Sequence, residues 1–225
     1  MRDILNNEGK IINTLIGDIS PTELSIVTPI TEIYSKMDSY FKLLDEGEGG
    51  WWESKICKVG KLEVLVAKTP QGNLLIDYIL ALRKWVKKIV LIGLCGGLDQ
   101  HLDIGDVVAF SDAFFEGYIE KCRITTCDNL SENIIVGRTG TSLAFLLEDE
   151  KFIGRMGKVG AIAVDMETFF LYKYSNLYNI DAVSLAVVSD LPRKKRFFEL
   201  NKKDKLAISR GIEKAIKIVG MTYEI

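Results

Sequence analysis

The sequence predicts an α/β fold: a single domain over residues 1–225, built as a three-layer sandwich with a mixed central sheet covered by helices. Three observations carry that prediction. The first is the unbroken apolar run Ile89-Val90-Leu91-Ile92-Gly93-Leu94, which reads as a strand buried on both faces. It ends among Gly93, Gly96 and Gly97, and a second buried strand, Ile104-Gly105-Asp106-Val107-Val108-Ala109-Phe110, follows at once. The second observation is the order strand, hairpin, helix, strand that leads up to this run. The third is a further continuous apolar stretch, 182–188, ending in Ser189-Asp190. Glycine costs conformational entropy inside regular structure, so those at 93, 96 and 97 mark a backbone shape or a close approach that a side chain would block.

Residues 1–20 show no clean period and precede Pro21. Leu24-Ser25-Ile26-Val27-Thr28 is the first core strand; Pro29 closes it, and Thr31 caps a helix over 32–44. Residues 45–50 form a glycine-rich surface loop. A hairpin follows, 51–59 with 62–67, turning at Gly60-Lys61. A helix over 74–86, apolar at 75, 76, 79, 80 and 82, leads into the glycine-bearing strand. Residues 110–126 read as strand and loop, 133–137 as a strand, and 148–156 as a polar helix or loop. A short strand over 162–164 enters Asp165-Met166-Glu167, and a helix follows over 168–176. The basic loop Arg193-Lys194-Lys195-Arg196 comes after the last strand. The closing helix, 202–219, is apolar at 206, 208, 212, 215, 216 and 219.

Composition narrows the function classes. The chain has 225 residues, 48% apolar and 27% charged, with 29 basic against 31 acidic residues and a net charge of −2. That is enough chain to bury a substantial core, and nothing in the balance points to nucleic acid or membrane as a partner. No apolar run approaches the roughly 20 residues that span a bilayer, and Met1-Arg2-Asp3-Ile4-Leu5-Asn6-Asn7 lacks the apolar region of a secretory signal. A cytoplasmic location is expected. Cys57, Cys95, Cys122 and Cys127 have no CxxC spacing, and His101 is the only histidine, so no metal site is expected. Cys95 reads as a small buried residue, and Cys122 and Cys127 as free thiols rather than a pair across a hairpin.

Ligands of open α/β sheets bind beyond the carboxyl ends of strands. Three segments lie at such ends: residues 93–97 with Cys95 and Gly96, residues 164–167 with Val164, Met166 and Glu167, and Ser189-Asp190. Glu167, between a strand and a helix, can accept two hydrogen bonds at once, which suits a vicinal diol. Asp190 can serve as a general acid where desolvation raises its pKa. Phe145 offers a face for a purine ring. Taken singly, each also has a plain structural role, as a cap, a surface charge or a core residue.

Together the segments IGLCGGL, IGDVV, VDMET and VVSD resemble the nucleoside phosphorylase and nucleosidase superfamily, in the family's order and over nearly the whole chain. The nearest look is to the catalytic domain of AMP nucleosidase. The resemblance implies a phosphorylase/hydrolase-like fold and cleavage of the N-glycosidic bond of a purine nucleoside or nucleotide. It implies that Met166 and Glu167 hold the ribose, that Asp190 protonates the leaving base, and that Phe145 lies against that base. It also implies a homodimer or hexamer, no cofactor, and inorganic phosphate as co-substrate in a phosphorylase. Trp51, Trp52, Phe169 and Phe170 are candidates for a subunit interface or for the core.

The departures bear on the nucleophile. Phosphorylases of the family carry a Gly-Asp-Pro-x-x-Arg loop where this chain has Val27-Thr28-Pro29-Ile30-Thr31-Glu32, and Arg and Ser where it has Leu91 and Leu94. Leucines supply no charge or N–H donor to a phosphate dianion, so no phosphate ligands are assigned and water is favoured as nucleophile. Glu32, near where the family's nucleosidases place a glutamate, is the candidate base; a first-turn glutamate also has a structural reason to be there. The loop 193–196 reads as solvated, with a grip on a 5′-phosphate as the alternative. Three functions follow: an N-ribosyl hydrolase, a phosphorylase with a rebuilt phosphate site, and a non-catalytic nucleoside or nucleotide sensor.

Overall fold

The computed structural model describes residues 7–123 and 134–223. The glycine-bearing run forms β5, Lys88–Gly97, which is almost wholly buried. Its first half pairs in parallel with β1, Leu24–Thr28, and nearly its whole length with β10, Asp181–Asp190. At its end β5 takes a different partner: Gly96 and Gly97 pair antiparallel with Val164 and Ala163 of β9, Ala161–Asp165. β9 continues in parallel to β8, Ile135–Thr141, and β8 to β6, Val107–Phe115. β6 then pairs antiparallel with β10. Five strands, β5, β9, β8, β6 and β10, therefore close on themselves. The rest of the mixed sheet runs outward from β1 through β4, Leu62–Lys68, and β3, Ser54–Val59, to β2, Lys42–Glu46. A short strand, β7, Tyr118–Lys121, pairs with β6.

Helices cover the sheet as predicted. On one face lie α1, Glu8–Ile16, α3, Leu75–Leu82, and α5, Thr168–Leu177, which contribute Ile12, Ile16, Tyr78, Ile79, Phe169 and Tyr172 to a core with Leu91 and Phe110. On the other lie α2, Thr31–Lys36, and the long α6, Lys202–Tyr223. α6 buries Ile208, Ile212, Ala215, Ile216 and Val219, a three-and-four spacing that places one stripe against Val90, Ile92 and Val187. α4, Glu150–Lys158, begins at Asp149, whose carboxylate accepts the Phe152 N–H at 2.7 Å, and seats Phe152, Ile153 and Met156 on β9. No helix among the described residues is long and apolar enough to cross a membrane.

Several boundaries differ from the sequence reading. The helix expected over 32–44 stops at Lys36, passes through a single 3-10 turn, Met37–Ser39, and gives way to β2. Met37 and Phe41 are buried while all five residues of β2 are exposed, so pairing with β3, rather than burial, sets this strand. α1 was not anticipated. Its signal is Ile11-Ile12 followed by Leu15-Ile16, one stripe of a helix ending at Gly17, whose φ of +78° favours glycine. Gly93 has open space where a Cβ would stand, so it needs no close approach; Gly96 and Gly97 do. Phe169 and Phe170 belong to the core, their rings edge to face at 5.7 Å, whereas Trp51 is 77% exposed and Trp52 rests against Tyr78. Cys57 and Cys95 are buried free thiols, and the Cys122 thiol donates to the Ala182 carbonyl at 3.1 Å. Cys127 and Asn133 lie outside the described residues.

Gly105 shows how tightly α6 is seated. Its φ is +94°, its N–H bonds the Val188 carbonyl at 2.8 Å, and a Cβ there would lie 2.5 Å from the Ala207 carbonyl oxygen of α6. Gly105→Ala is expected to lower the unfolding free energy by about 2 to 4 kcal/mol, since it combines a strained φ with a backbone clash. Urea denaturation of the two proteins side by side measures this directly.

Candidate active site

The carboxyl ends of β1, β5, β9 and β10 meet around an open cleft of about 320 Å³. Its floor is Gly96, paired with Asp190 on one side and Val164 on the other. A Cβ at Gly96 would stand 2.8 Å from Pro192 and 3.1 Å from Val164, so the floor closes only over glycine. Cys95, Val164, Met166, Glu167, Ser189, Asp190 and Phe145 all line this cleft, so the three segments singled out in the sequence converge on it.

A bulge aims Asp190. The register between β10 and β5 shifts after Val188, leaving Ser189 unpaired between Val188 and Asp190. The Ser189 hydroxyl lies 3.1 Å from the Cys95 carbonyl and 3.0 Å from Asp190 Oδ1. Burial pushes the Asp190 carboxyl above its ordinary value. The Ser189 hydroxyl, the Phe197 N–H and the Arg196 charge pull the other way without cancelling it.

Glu167 is 6% exposed, and its Oε1 accepts the N–H of Gly72 at 2.6 Å. Burial, helped by the nearby Asp165 charge, raises its carboxyl to about 7. Asp165 has a different task. It accepts the Thr141 hydroxyl at 2.7 Å and the Thr168 N–H at 2.9 Å, along with the Thr139 and Thr168 hydroxyls. Both of its oxygens are thus spent joining β8 to the first turn of α5. Cys95 is buried and its thiol is held well above the ordinary value by burial, which leaves it protonated and unreactive.

Glu32 does not join this group. It sits on the first turn of α2, turned toward α6, where Ser209 Oγ donates to it at 3.1 Å and Lys36 stands 3.9 Å away. α2 buries Ile33 against α6, and that orientation carries the neighbouring carboxylate away from the cleft. The residues that reach the cleft from this loop are Pro29 and Ile30, and the Ile30 N–H is already given to Thr28 Oγ1 at 3.1 Å. Of the two leucines, Leu94 lines the cleft and Leu91 is packed in the core. In the basic loop, Lys195 pairs with Asp204, Lys194 reaches the Gln100 carbonyl and Arg193 the Ile153 carbonyl; Arg196 alone of the four lines the cleft.

Two groups were missed. Arg196 falls in the loop read as solvated, with a grip on a 5′-phosphate as the alternative, and Glu148 in a stretch read as a polar helix or loop. Glu148 instead follows a 3-10 turn, Phe145–Leu147, and accepts the Ser142 hydroxyl at 2.6 Å. Burial raises its carboxyl to about 7, with the Asp190 and Asp165 charges adding to the rise. Its position three residues beyond Phe145 was the available signal. Phe145 is 51% exposed at the rim, edge-on to Phe197 at 5.3 Å. Among the described residues no cluster of His, Cys, Asp and Glu suits a metal ion.

The buried Glu167 has a consequence for stability. Its folded-state value of about 7 lies above the ordinary 4.5, so the folded chain holds the proton more tightly, and stability falls as pH rises from about 4.5 to 7. Glu167→Gln keeps an acceptor for Gly72 and removes the ionisation. Calorimetry is expected to show a higher Tm than wild type at pH 8 and little difference at pH 5.

The family model described as "Phosphorylase superfamily" matches residues 45–219. A purine nucleoside phosphorylase of DeoD type from Buchnera aphidicola subsp. Acyrthosiphon pisum (strain Tuc7) is 26% identical over 152 residues, 60% of this chain and 64% of that protein. The DeoD-type phosphorylase of Caldanaerobacter subterraneus subsp. tengcongensis is 29% identical over 123 residues, 47% of this chain and 53% of that one. The chain thus spans less than two thirds of the length of these curated relatives. In fold it resembles uridine phosphorylase from Vibrio fischeri ES114, with a TM-score of 0.74 at 15% identity over 90% of this chain and 91% of the other. It also resembles the 5′-methylthioadenosine/S-adenosyl homocysteine nucleosidase of Campylobacter jejuni, with a TM-score of 0.71 at 15% identity over 90% and 99%. With the matched segment running from β2 into α6, the chain belongs to the phosphorylase superfamily of nucleoside phosphorylases and nucleosidases.

Proposed function

We propose that the protein hydrolyses the N-glycosidic bond of a purine nucleoside. The observation that carries this reading is the composition of the cleft: Glu167 and Asp190 line it together with Gly96, while Pro29, Ile30 and Leu94 form apolar wall. In this reading Glu167, fixed by Gly72, accepts hydrogen bonds from the ribose hydroxyls beside Met166. Phe145 and Phe197 bound the base. Asp190, its pKa raised by burial, donates a proton to N7 as the C1′–N9 electron pair passes to the base; such assistance contributes about 10² to 10⁴ in rate. Water then attacks C1′, the proton it sheds passes through solvent to re-form the Asp190 acid, and ribose leaves, so that nucleoside and water give base and sugar.

Charge supports hydrolysis of an uncharged substrate. The cleft is lined by Glu148, Asp165, Glu167 and Asp190 against the single guanidinium of Arg196, which lies on the Asp190 side. With one guanidinium among carboxyl groups and apolar walls, the cleft offers few charged donors to a phosphate nucleophile or a nucleotide 5′-phosphate. Phosphorolysis is the second reading, supported by the phosphorylase relatives and requiring anion ligands from beyond this cleft. The proposal needs no cofactor. We further read the chain as one cytoplasmic domain that assembles into a homodimer or hexamer, consistent with exposed Leu146 and Phe198 near the cleft rim.

Base release from adenosine, inosine, methylthioadenosine and AMP, each with and without inorganic phosphate, tests the reading. Nucleosides are expected to react equally in both conditions and faster than AMP. A strict need for phosphate would overturn hydrolysis, and nucleoside binding without turnover would establish a sensor. Asp190→Asn is expected to lower kcat about 10² to 10⁴-fold with binding retained. Glu32→Gln, altered outside the cleft, is expected to stay within about two-fold of wild type, as surface changes away from a site do.

A further inference from the structure

We propose that the recess between α4 and the loop after β10 is a binding site for a free diphosphate-class anion, separate from the cleft that it adjoins. None of the catalytic steps above uses this recess.

The recess has a volume of about 540 Å³ and is lined by Ile153 and Gly154 of α4 and by Arg193, Lys194, Arg196 and Phe198 of the loop. Three cations therefore border one space. Two carboxylates, Glu150 and Glu199, stand on its walls, but among the described residues neither forms an ion pair with Arg193, Lys194 or Arg196. Glu199 Oε2 instead accepts the backbone N–H of Arg196 at 2.7 Å. Arg193 Nη2 reaches the Ile153 carbonyl at 3.4 Å and Lys194 Nζ the Gln100 carbonyl at 3.5 Å, both beyond the usual hydrogen-bond range. Lys195 shows the contrast: it is paired with Asp204 and does not line the recess.

The helix leaves room on the same side. Glycine disfavours a helix interior, yet α4 carries Gly154 and Gly157 one turn apart. Gly157 leaves the space that the Arg193 guanidinium occupies. Gly154 has no such neighbour: a Cβ there would meet nothing within 4 Å, and the position opens on the recess. Packing within the chain thus explains one glycine and not the other, and a ligand lying against the bare helix explains the second. Two guanidinium forks and an ammonium suit an anion with several acceptor oxygens, as phosphates have. Pro192 and Arg196 line both the recess and the cleft, so an occupant would stand beside the floor at Gly96.

Calorimetric titration of the whole protein with inorganic pyrophosphate, and with inorganic phosphate, at low ionic strength tests the site without turnover. One pyrophosphate per chain is expected, bound more tightly than phosphate. Arg193→Ala and Lys194→Ala, both altered outside the cleft, are each expected to weaken pyrophosphate about ten-fold. Gly154→Gln fills the recess and is expected to weaken it about ten-fold or more, while its Tm holds or rises because glutamine favours a helix over glycine. Lost binding is then not lost folding. Lys203→Gln, an exposed cation outside the recess, is expected to stay within about two-fold of wild type. No binding to wild type, or a Gly154→Gln variant that binds as wild type does, overturns the proposal. Equal weakening by Lys203→Gln also overturns it, since that marks diffuse attraction to surface charge.

Discussion

The cleft depends on what happens at Gly96. A strand buried on both faces normally keeps its neighbours along its length, but β5 runs beside β1 at its start and meets β9 at its end. The exchange needs two other segments to press against the same backbone atom, Val164 from β9 and Pro192 from the turn beyond β10, and only an absent Cβ leaves them room. Close packing of this kind brings the ends of three strands within reach of one small molecule. The bulge at Ser189 completes it by shifting the register so that Asp190 pairs with Gly96 at the floor.

The two acidic residues of the VDMET segment show how neighbouring carboxylates acquire different duties. Asp165 is buried among hydroxyls and an N–H that satisfy both oxygens, and it holds α5 to β8. Glu167, two residues on and equally buried, is held only by the backbone of Gly72 and Met166 and lines the cleft. A buried acid with incomplete partners weakens the fold when ionised. A ligand hydroxyl donating to Glu167 would offset that cost, and for this reason the proposed ribose contact falls on Glu167 and not on its neighbour.

Much of the fold was legible because its central strands are long apolar runs ending in glycine or a polar pair. The hairpin followed from its turn at Gly60-Lys61, the stripe of α6 from helical spacing, and the strand-end positions of Glu167 and Asp190 from the apolar runs that precede them. What the sequence concealed was set by tertiary contacts. Residues 42–46 carry two leucines within a helical-looking stretch, yet pairing with β3 draws them into a strand. Glu32 stands close in sequence to the cleft wall, but one turn of helix rotates it onto α6. Glu148 hides for the opposite reason: its chemistry comes from the Ser142 hydroxyl and from burial, and only its place three residues beyond Phe145 is there to read.

The closed ring of β5, β9, β8, β6 and β10 has a consequence for the protein's behaviour in a crowded solution. Strands within a ring have no open row of N–H and C=O groups, so the half of the sheet that bears the cleft offers no template for a passing chain. Among the described residues the free edges fall to β2 and β7. β2 carries Lys42, Asp45 and Glu46, and its register breaks between Leu43 and Asp45. β7 is four residues long and ends in Glu120 and Lys121. Charge, irregular register and shortness each discourage edge-to-edge addition, which lets the chain keep a strongly apolar sheet without inviting cross-chain strand growth.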